Sequence, residues 1–213
     1  MKEIFKKNSV VLFQGDSVTD CGRLRDQPEN LGSGYPEKVA RVYRALFPES
    51  GVKFYNRGVS GDRSKEVLER MDQDILQIAP DYISIMVGIN DVWRRYDSDD
   101  PTSAQQFEKN YRTILEGIKR DLPDTKIMMM EPYVLDTLEF TGTWREDLDP
   151  KLQVVRKLAA EYADYFMPTD GIIQKYLVAG YTKAEITADG VHPTDLGHGL
   201  IAGEYLGTWG LKL

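Results

Sequence analysis

Five short apolar runs are strung along the chain, and each ends in glycine, proline or polar residues: SVVLFQ (9–14), VKFYNRG (52–58), YISIMVG (82–88), KIMMMEP (126–132) and YFMPT (165–169). They are rich in β-branched and aromatic residues, which marks them as strands. YISIMV is apolar almost without a break, as in a strand covered on both faces of a parallel sheet. Between these runs the apolar period changes to that of a helix. Val39, Val42, Tyr43, Leu46 and Phe47 form one stripe; Val67, Leu68, Met71 and Ile75 a second; Phe107, Tyr111, Ile114, Leu115 and Ile118 a third. Leu152, Val155, Leu158, Ala159 and Tyr162 form another, and Leu196, Leu200 and Ile201 the last. Pro36 suits a first helical turn. Strands alternating with helices through 213 residues predict a single α/β domain of three layers, with a parallel sheet between helices on both faces. No internal repeat, linker or low-complexity segment interrupts the pattern. The two longest irregular stretches are expected at 88–102 and 132–150.

Composition narrows the function classes. Apolar residues are 41% and charged residues 29%, a balance that folds. The net charge of −7 disfavours nucleic acid and anionic membrane as partners. Cys21 is the single cysteine, which excludes an internal disulfide. No segment has the ~18 apolar residues of a membrane span. The leading MKEIFKKNSVVLFQG carries an apolar run too short for a secretory leader, so a cytoplasmic location is expected.

In an open parallel sheet, sites form beyond the carboxyl ends of the strands. The residues arriving there are Gly15-Asp16-Ser17 after the first strand, Gly58-Val59-Ser60-Gly61-Asp62 after the second and Gly88-Ile89-Asn90-Asp91 after the third. Asp189-Gly190-Val191-His192-Pro193 comes near the C-terminus. Together they supply a hydroxyl, small backbone donors, a carboxamide, and a histidine with an acid three residues before it. That is the inventory of a hydrolase. Serine needs an adjacent base to become a nucleophile. The chain has two histidines. His192 precedes a proline and has Asp189 nearby; His198 lies within the last helical stretch without such an acid. The N–H groups of Ser17 and Gly61 and the side-chain amide of Asn90 are candidate donors to an oxyanion.

Each motif also has a purely structural reading. Gly-Asp-Ser is an ordinary turn, with Asp16 bonding loop amides. Asn90-Asp91 can be an Asx turn or a helix cap. His192-Pro193-Thr194 can be a turn that caps the last helix at Thr194 or Asp195. Asp97, Asp99 and Asp100 can bind a metal, but a solvated acidic loop is the simpler reading. GSGYPE (32–37) lacks the third glycine of a dinucleotide fingerprint and does not follow a strand. Cys21 is read as a small packed residue.

Order and context together change this balance. GDSVTD, NRGVSGDRS, GIND and DGVHPT resemble, in order, the four blocks of the SGNH (GDSL-type) hydrolase family, and the resemblance spans essentially the whole chain. It implies a flavodoxin-like domain over 1–213 with a five-stranded parallel sheet. It implies Ser17 as nucleophile, Gly61 and Asn90 as oxyanion donors with the Ser17 amide, and His192 as a base oriented by Asp189. GDSVTDCGR, GSGY and GINDVWRRYD are most similar to the acetyl xylooligosaccharide esterase branch, with GSGY one residue away from that branch's pattern. The implied activity is therefore removal of acetyl groups from carbohydrates, with no metal or organic cofactor. A lipolytic esterase, thioesterase or lysophospholipase on the same scaffold is the alternative, and a non-catalytic sugar-binding protein is a third. Trp93, Arg94 and Tyr35 are expected to border the substrate cleft, although Trp93 can also be simple packing. The apolar residues Leu135, Leu138, Phe140 and Trp144 are expected to be exposed, either forming a homo-oligomer interface or closing over the site.

Overall fold

Period-2 alternation divides the apolar residues of each strand between two faces. The computed structural model describes residues 2–137 and 143–211. In β1 (Val10–Gly15), Val11 and Phe13 point to one side and Leu12 to the other. In β4 (Lys126–Met130), Met128 and Met130 join the first face, and Ile127 and Met129 the second. With β2 (Lys53–Asn56), β3 (Tyr82–Met86) and β5 (Tyr165–Met167) they form one sheet of order β2-β1-β3-β4-β5, every pair parallel. Leu12 pairs with Tyr55 on one side and Ile83 on the other.

Helices cover both faces. Between β1 and β2 come α1 (Ser17–Asp20) and α2 (Tyr35–Leu46). α3 (Ser64–Glu69) runs through Met71 into a π-helical turn at Asp72–Leu76, ahead of β3. α4 (Ile89–Asp97) and α5 (Ala104–Asp121) lead from β3 to β4, and α6 (Trp144–Tyr162) leads to β5. α7 (Thr169–Val178), α8 (Lys183–Ile186) and α9 (Asp195–Thr208) complete the chain. Tyr35, Val39 and Tyr43 of α2 meet Ile201 and Tyr205 of α9 against one face. Val67 of α3, Tyr111 and Ile114 of α5, and Val155 and Leu158 of α6 cover the other. Each such side chain contributes about 1.5–3 kcal/mol when fully buried.

Several expectations need correction. Leu46 and Leu196 drop out of their stripes and are exposed, while His198, Ala202 and Leu206 extend the buried side of α9. Most of 88–102 is not irregular: α4 occupies Ile89–Asp97. Its apolar stripe is short, and Asn90-Asp91 at its start reads as a turn. The stretch 132–150 is irregular only in part, because α6 begins at Trp144 and runs through Pro150. A proline inside a helix costs about 3 kcal/mol or more. Burial of Trp144, Leu148 and Leu152 offsets that cost. Leu135 and Trp144 are not exposed, at 2% and 5%. Leu138 and Phe140 lie outside the described residues. Leu135 N donates to Gly190 O at 2.8 Å and Thr137 Oγ1 to Asp189 O at 2.8 Å, so this segment braces the Asp189–His192 turn.

A strand order of 2-1-3-4-5 reverses direction between β1 and β3, which opens a crevice at their carboxyl ends. Ser17 follows β1 and Asn90 follows β3.

Candidate active site

Local structure at Ser17 is set by its neighbour. Asp16 caps α1, its Oδ1 accepting from Val18 N at 3.0 Å. Burial, with Asp91 and Asp62 near, pushes this carboxyl up to about 7 against the Val18 bond. Ser17 is thus the first residue of a four-residue helix directly beyond the sheet.

Three side chains connect in series. Ser17 Oγ lies 2.9 Å from His192 Nε2, and His192 Nδ1 lies 2.6 Å from Asp189 Oδ2. Asp189 Oδ1 accepts from the amides of Val191 at 2.9 Å and His192 at 2.8 Å. Burial works to raise the Asp189 carboxyl. Its bonds to the His192 side chain and to these amides outweigh burial and hold it below the usual carboxylate range. An ionised carboxylate only accepts, so Nδ1 donates and Nε2 keeps a lone pair for the Ser17 hydroxyl. The turn is closed by Ala188 N donating to His192 O at 2.9 Å and by a bridge between Thr187 and Pro193. Thr194 caps α9, accepting from Gly197 N at 3.1 Å.

Gly61 sits at φ +90°, a conformation that side chains disfavour. Asn90 is buried, and its Nδ2 donates to Asp62 O at 3.0 Å, which leaves its second amide hydrogen. Among the described residues, no protein acceptor takes the N–H of Ser17 or of Gly61. Next to Asn90, Asp91 is fully buried. Burial raises its carboxyl to about 6 despite bonds from Ser64.

These groups border a cleft of about 520 Å³. Trp93 and Arg94 line it together with Ser17, Gly61, Asn90 and His192. The Trp93 ring centre is 5.8 Å from that of His192, and Arg94 pairs with Asp97. Asp189 stands behind His192 rather than on the wall. Tyr35, expected at the cleft, is fully buried instead. Its ring packs on Phe13 and Tyr205, its hydroxyl lies 3.1 Å from Thr19 Oγ1, and its amide donates to His198 Nδ1 at 3.1 Å. Tyr35 opens α2, and that helix faces the sheet.

Further residues complete the lining. Cys21, expected to be packed inside, lines the cleft, with its Sγ 3.3 Å from His198 Nε2. Ser33, Ser60 and Asp97 also line it. The signal for Cys21 was its place one helical turn after Ser17. Among the described residues, no cluster of three or more His, Cys, Asp or Glu side chains could hold a metal ion. Asp97 and Asp100 instead pair with Arg94 and Arg63.

Residues 13–200 match the GDSL-like Lipase/Acylhydrolase family. The chain belongs to this family. It is a carboxylic ester hydrolase on the family's three-layer fold. An acetylxylan esterase of Geobacillus stearothermophilus is 34% identical over 202 residues, covering 92% of this chain and 91% of that protein. The solved structure of a putative GDSL-like lipase from Parabacteroides merdae has a TM-score of 0.92 at 33% identity, covering 97% of this chain and 98% of that one. Catalytic mutants of the Geobacillus esterase, at a serine, an aspartate and a histidine, have been solved. They give TM-scores of 0.88 to 0.89 at 29 to 30% identity, covering 99% of this chain and 98% of each.

Proposed function

We propose that this protein is a serine esterase that removes acetyl groups from acetylated carbohydrates, xylooligosaccharides in particular. The observation that carries the reading is the unbroken line of hydrogen bonds from Asp189 through His192 to Ser17, ending in a cleft beside Trp93. The names of the relatives, and the residue types changed in the catalytic mutants, support it.

Ser17 Oγ attacks the acetyl carbonyl carbon while His192 Nε2 takes the hydroxyl proton. The oxyanion of the tetrahedral intermediate accepts from Ser17 N–H, Gly61 N–H and the second amide hydrogen of Asn90. On collapse, His192 gives its proton to the sugar oxygen, which leaves as a hydroxyl, and the acetyl group stays on Ser17. Water then attacks the acyl-enzyme, His192 takes and returns a proton, and acetate departs. Asp189 keeps the ring oriented and stabilises the transient imidazolium.

The Asn90 bond to the oxyanion forms mainly in the transition state. Asn90→Ala is therefore expected to lower kcat by about 10²–10³, with a smaller change in KM. Steady-state kinetics on p-nitrophenyl acetate checks this. A change confined to KM would make Asn90 a ground-state binding residue.

The acyl group is expected to be small. The Trp93 indole beside His192 limits the space near the nucleophile, and Arg94 can donate to sugar hydroxyls. A methylene that fits is worth about 1–3 kcal/mol, but one that clashes is excluded sharply. In a series of p-nitrophenyl esters, kcat/KM should fall steeply from acetyl to butyryl and be negligible for octanoyl. Trp93→Ala should flatten that profile or raise KM for acetylated sugars. Equal or better turnover of octanoyl esters or lysophospholipid would overturn the acetyl-esterase reading in favour of a lipolytic one.

A further inference from the structure

The proposed oxyanion donors come from three separate segments, and nothing in a short loop keeps an amide such as that of Gly61 aimed at one point. Ser60 before Gly61, and Ser64 at the start of α3 three residues after it, are tied to carboxylates. Ser60 donates twice to Asp20 Oδ2, from its N and its Oγ, each at 2.9 Å. Ser64 donates its N to Asp91 Oδ2 at 2.8 Å and its Oγ to Asp91 Oδ1 at 2.7 Å. Both carboxylates are buried. Asp20 belongs to the same four-residue helix as Ser17, and Asp91 is next to Asn90 in α4. Each tie therefore joins the Gly61 loop to a helix that carries another reacting group.

We infer that Asp20 and Asp91 are paired positioning residues, which fix the N–H of Gly61 and the amide of Asn90 relative to the Ser17 hydroxyl without touching substrate. The inference rests on the serine-esterase reading proposed above.

Further contacts point the same way. Arg23, one turn beyond Asp20, donates from Nε and Nη2 to Gly58 O at 3.1 and 3.0 Å. The Gly58 N–H goes to Asn56 Oδ1 at 2.8 Å and the Val59 N–H to Gly15 O at 3.1 Å. The loop lies directly on the backbone of α1: a Cβ on Gly58 would stand 2.4 Å from Asp20 N. Across the loop, Asn90 Nδ2 holds Asp62 O at 3.0 Å, and Asn110 Nδ2 supports Ser64 Oγ at 3.1 Å. The N–H groups of Gly58, Val59, Ser60 and Ser64 are all taken up, while that of Gly61 has no acceptor among the described residues. Hydrogen bonds to an ionised carboxylate are about twice as strong as neutral ones. Misplacing a catalytic group by about 1 Å can cost about 100-fold in rate.

An ordinary structural role for these carboxylates would lower stability or the fraction of active molecules, and would leave each surviving site at full speed. The test therefore counts sites. Diethyl p-nitrophenyl phosphate, run to completion, phosphorylates the nucleophile and releases one p-nitrophenolate per working site. The kcat and KM on p-nitrophenyl acetate are then expressed per titrated site. In parallel, a trifluoromethyl ketone, whose hemiketal oxygen occupies the oxyanion position, is measured as an inhibitor.

Asp20→Asn and Asp91→Asn are each expected to lose about 10-fold to 100-fold in kcat per titrated site, with KM within about 3-fold and ketone affinity falling in parallel. Ser60→Ala and Ser64→Ala, which remove only the hydroxyl bonds, should show the same pattern with smaller losses. Unchanged kcat per titrated site in the folded Asn variants would overturn the inference. Should those variants not fold, unchanged values in both alanine variants would overturn it. Failure of the underlying reading is distinguishable, because the wild-type protein would then release no stoichiometric p-nitrophenolate, or Ser17→Ala would still release it.

Discussion

Ser17→Ala is expected to lower kcat for ester hydrolysis by about 10⁴-fold or more while the protein stays folded. Ser17 Oγ is the hydroxyl within hydrogen-bond reach of His192 Nε2. The other hydroxyls and the thiol on the cleft wall are engaged elsewhere. Ser60 Oγ donates to Asp20, Ser33 Oγ donates to Cys21 O at 3.2 Å, and Cys21 Sγ sits beside His198. Among the described residues of the cleft wall, no second nucleophile has a base in place to replace Ser17. The substitution removes one oxygen from a helix whose cap is supplied by Asp16, so the fold should hold. Kinetics on p-nitrophenyl acetate together with thermal unfolding checks both halves. Near wild-type kcat in folded Ser17→Ala protein would exclude the mechanism.

The two histidines should separate just as sharply. His192→Ala removes the proton acceptor, and a loss of about 10⁴-fold in kcat is expected. His198→Ala should remain active but be less stable. His198 is 4% exposed, and its Nδ1 accepts from Tyr35 N. Its Nε2 therefore carries the hydrogen and donates toward Cys21 Sγ, so this ring has no free lone pair for a serine or cysteine proton. Removing it strands the buried Tyr35 amide, a cost of about 1–3 kcal/mol. Burial pushes His198 down to about 4. It is then neutral from about pH 5 upward, and any rise of activity with pH between 5 and 8 should survive in His198→Ala. An inactive but folded His198→Ala protein, alongside an active His192→Ala, would reverse the assignment of the base.

The parts of the site visible in the sequence were those next to strand ends. Ser17 follows an apolar run that ends in Gly15, and Asn90 follows one that ends in Gly88, so a parallel sheet alone brings them to one edge. Asp189 and His192 were readable as a pair because only two residues separate them. The rest depended on distances that sequence does not encode. Asp20 meets Ser60, and Asp91 meets Ser64, across tens of residues. The loop of Tyr35 is near the nucleophile segment in sequence, which points to the cleft, but an α2 packed on the sheet turns the ring inward against Phe13. Leu135 and Trp144 lie in a polar stretch, which by itself argues for exposure. In the fold, both are covered, and the backbone at Leu135 holds the Asp189–Gly190 turn. Helix α4 was hidden because its start doubles as a turn motif and its buried stripe is only a few residues long.

Mass spectrometry of protein quenched rapidly during turnover of acetylated xylooligosaccharide tests the central proposal most directly. One added acetyl group is expected, confined to the peptide containing Ser17, formed at a rate no slower than turnover and absent from Ser17→Ala. Acetyl transfer to Cys21 or any other side chain in place of Ser17 would contradict that proposal.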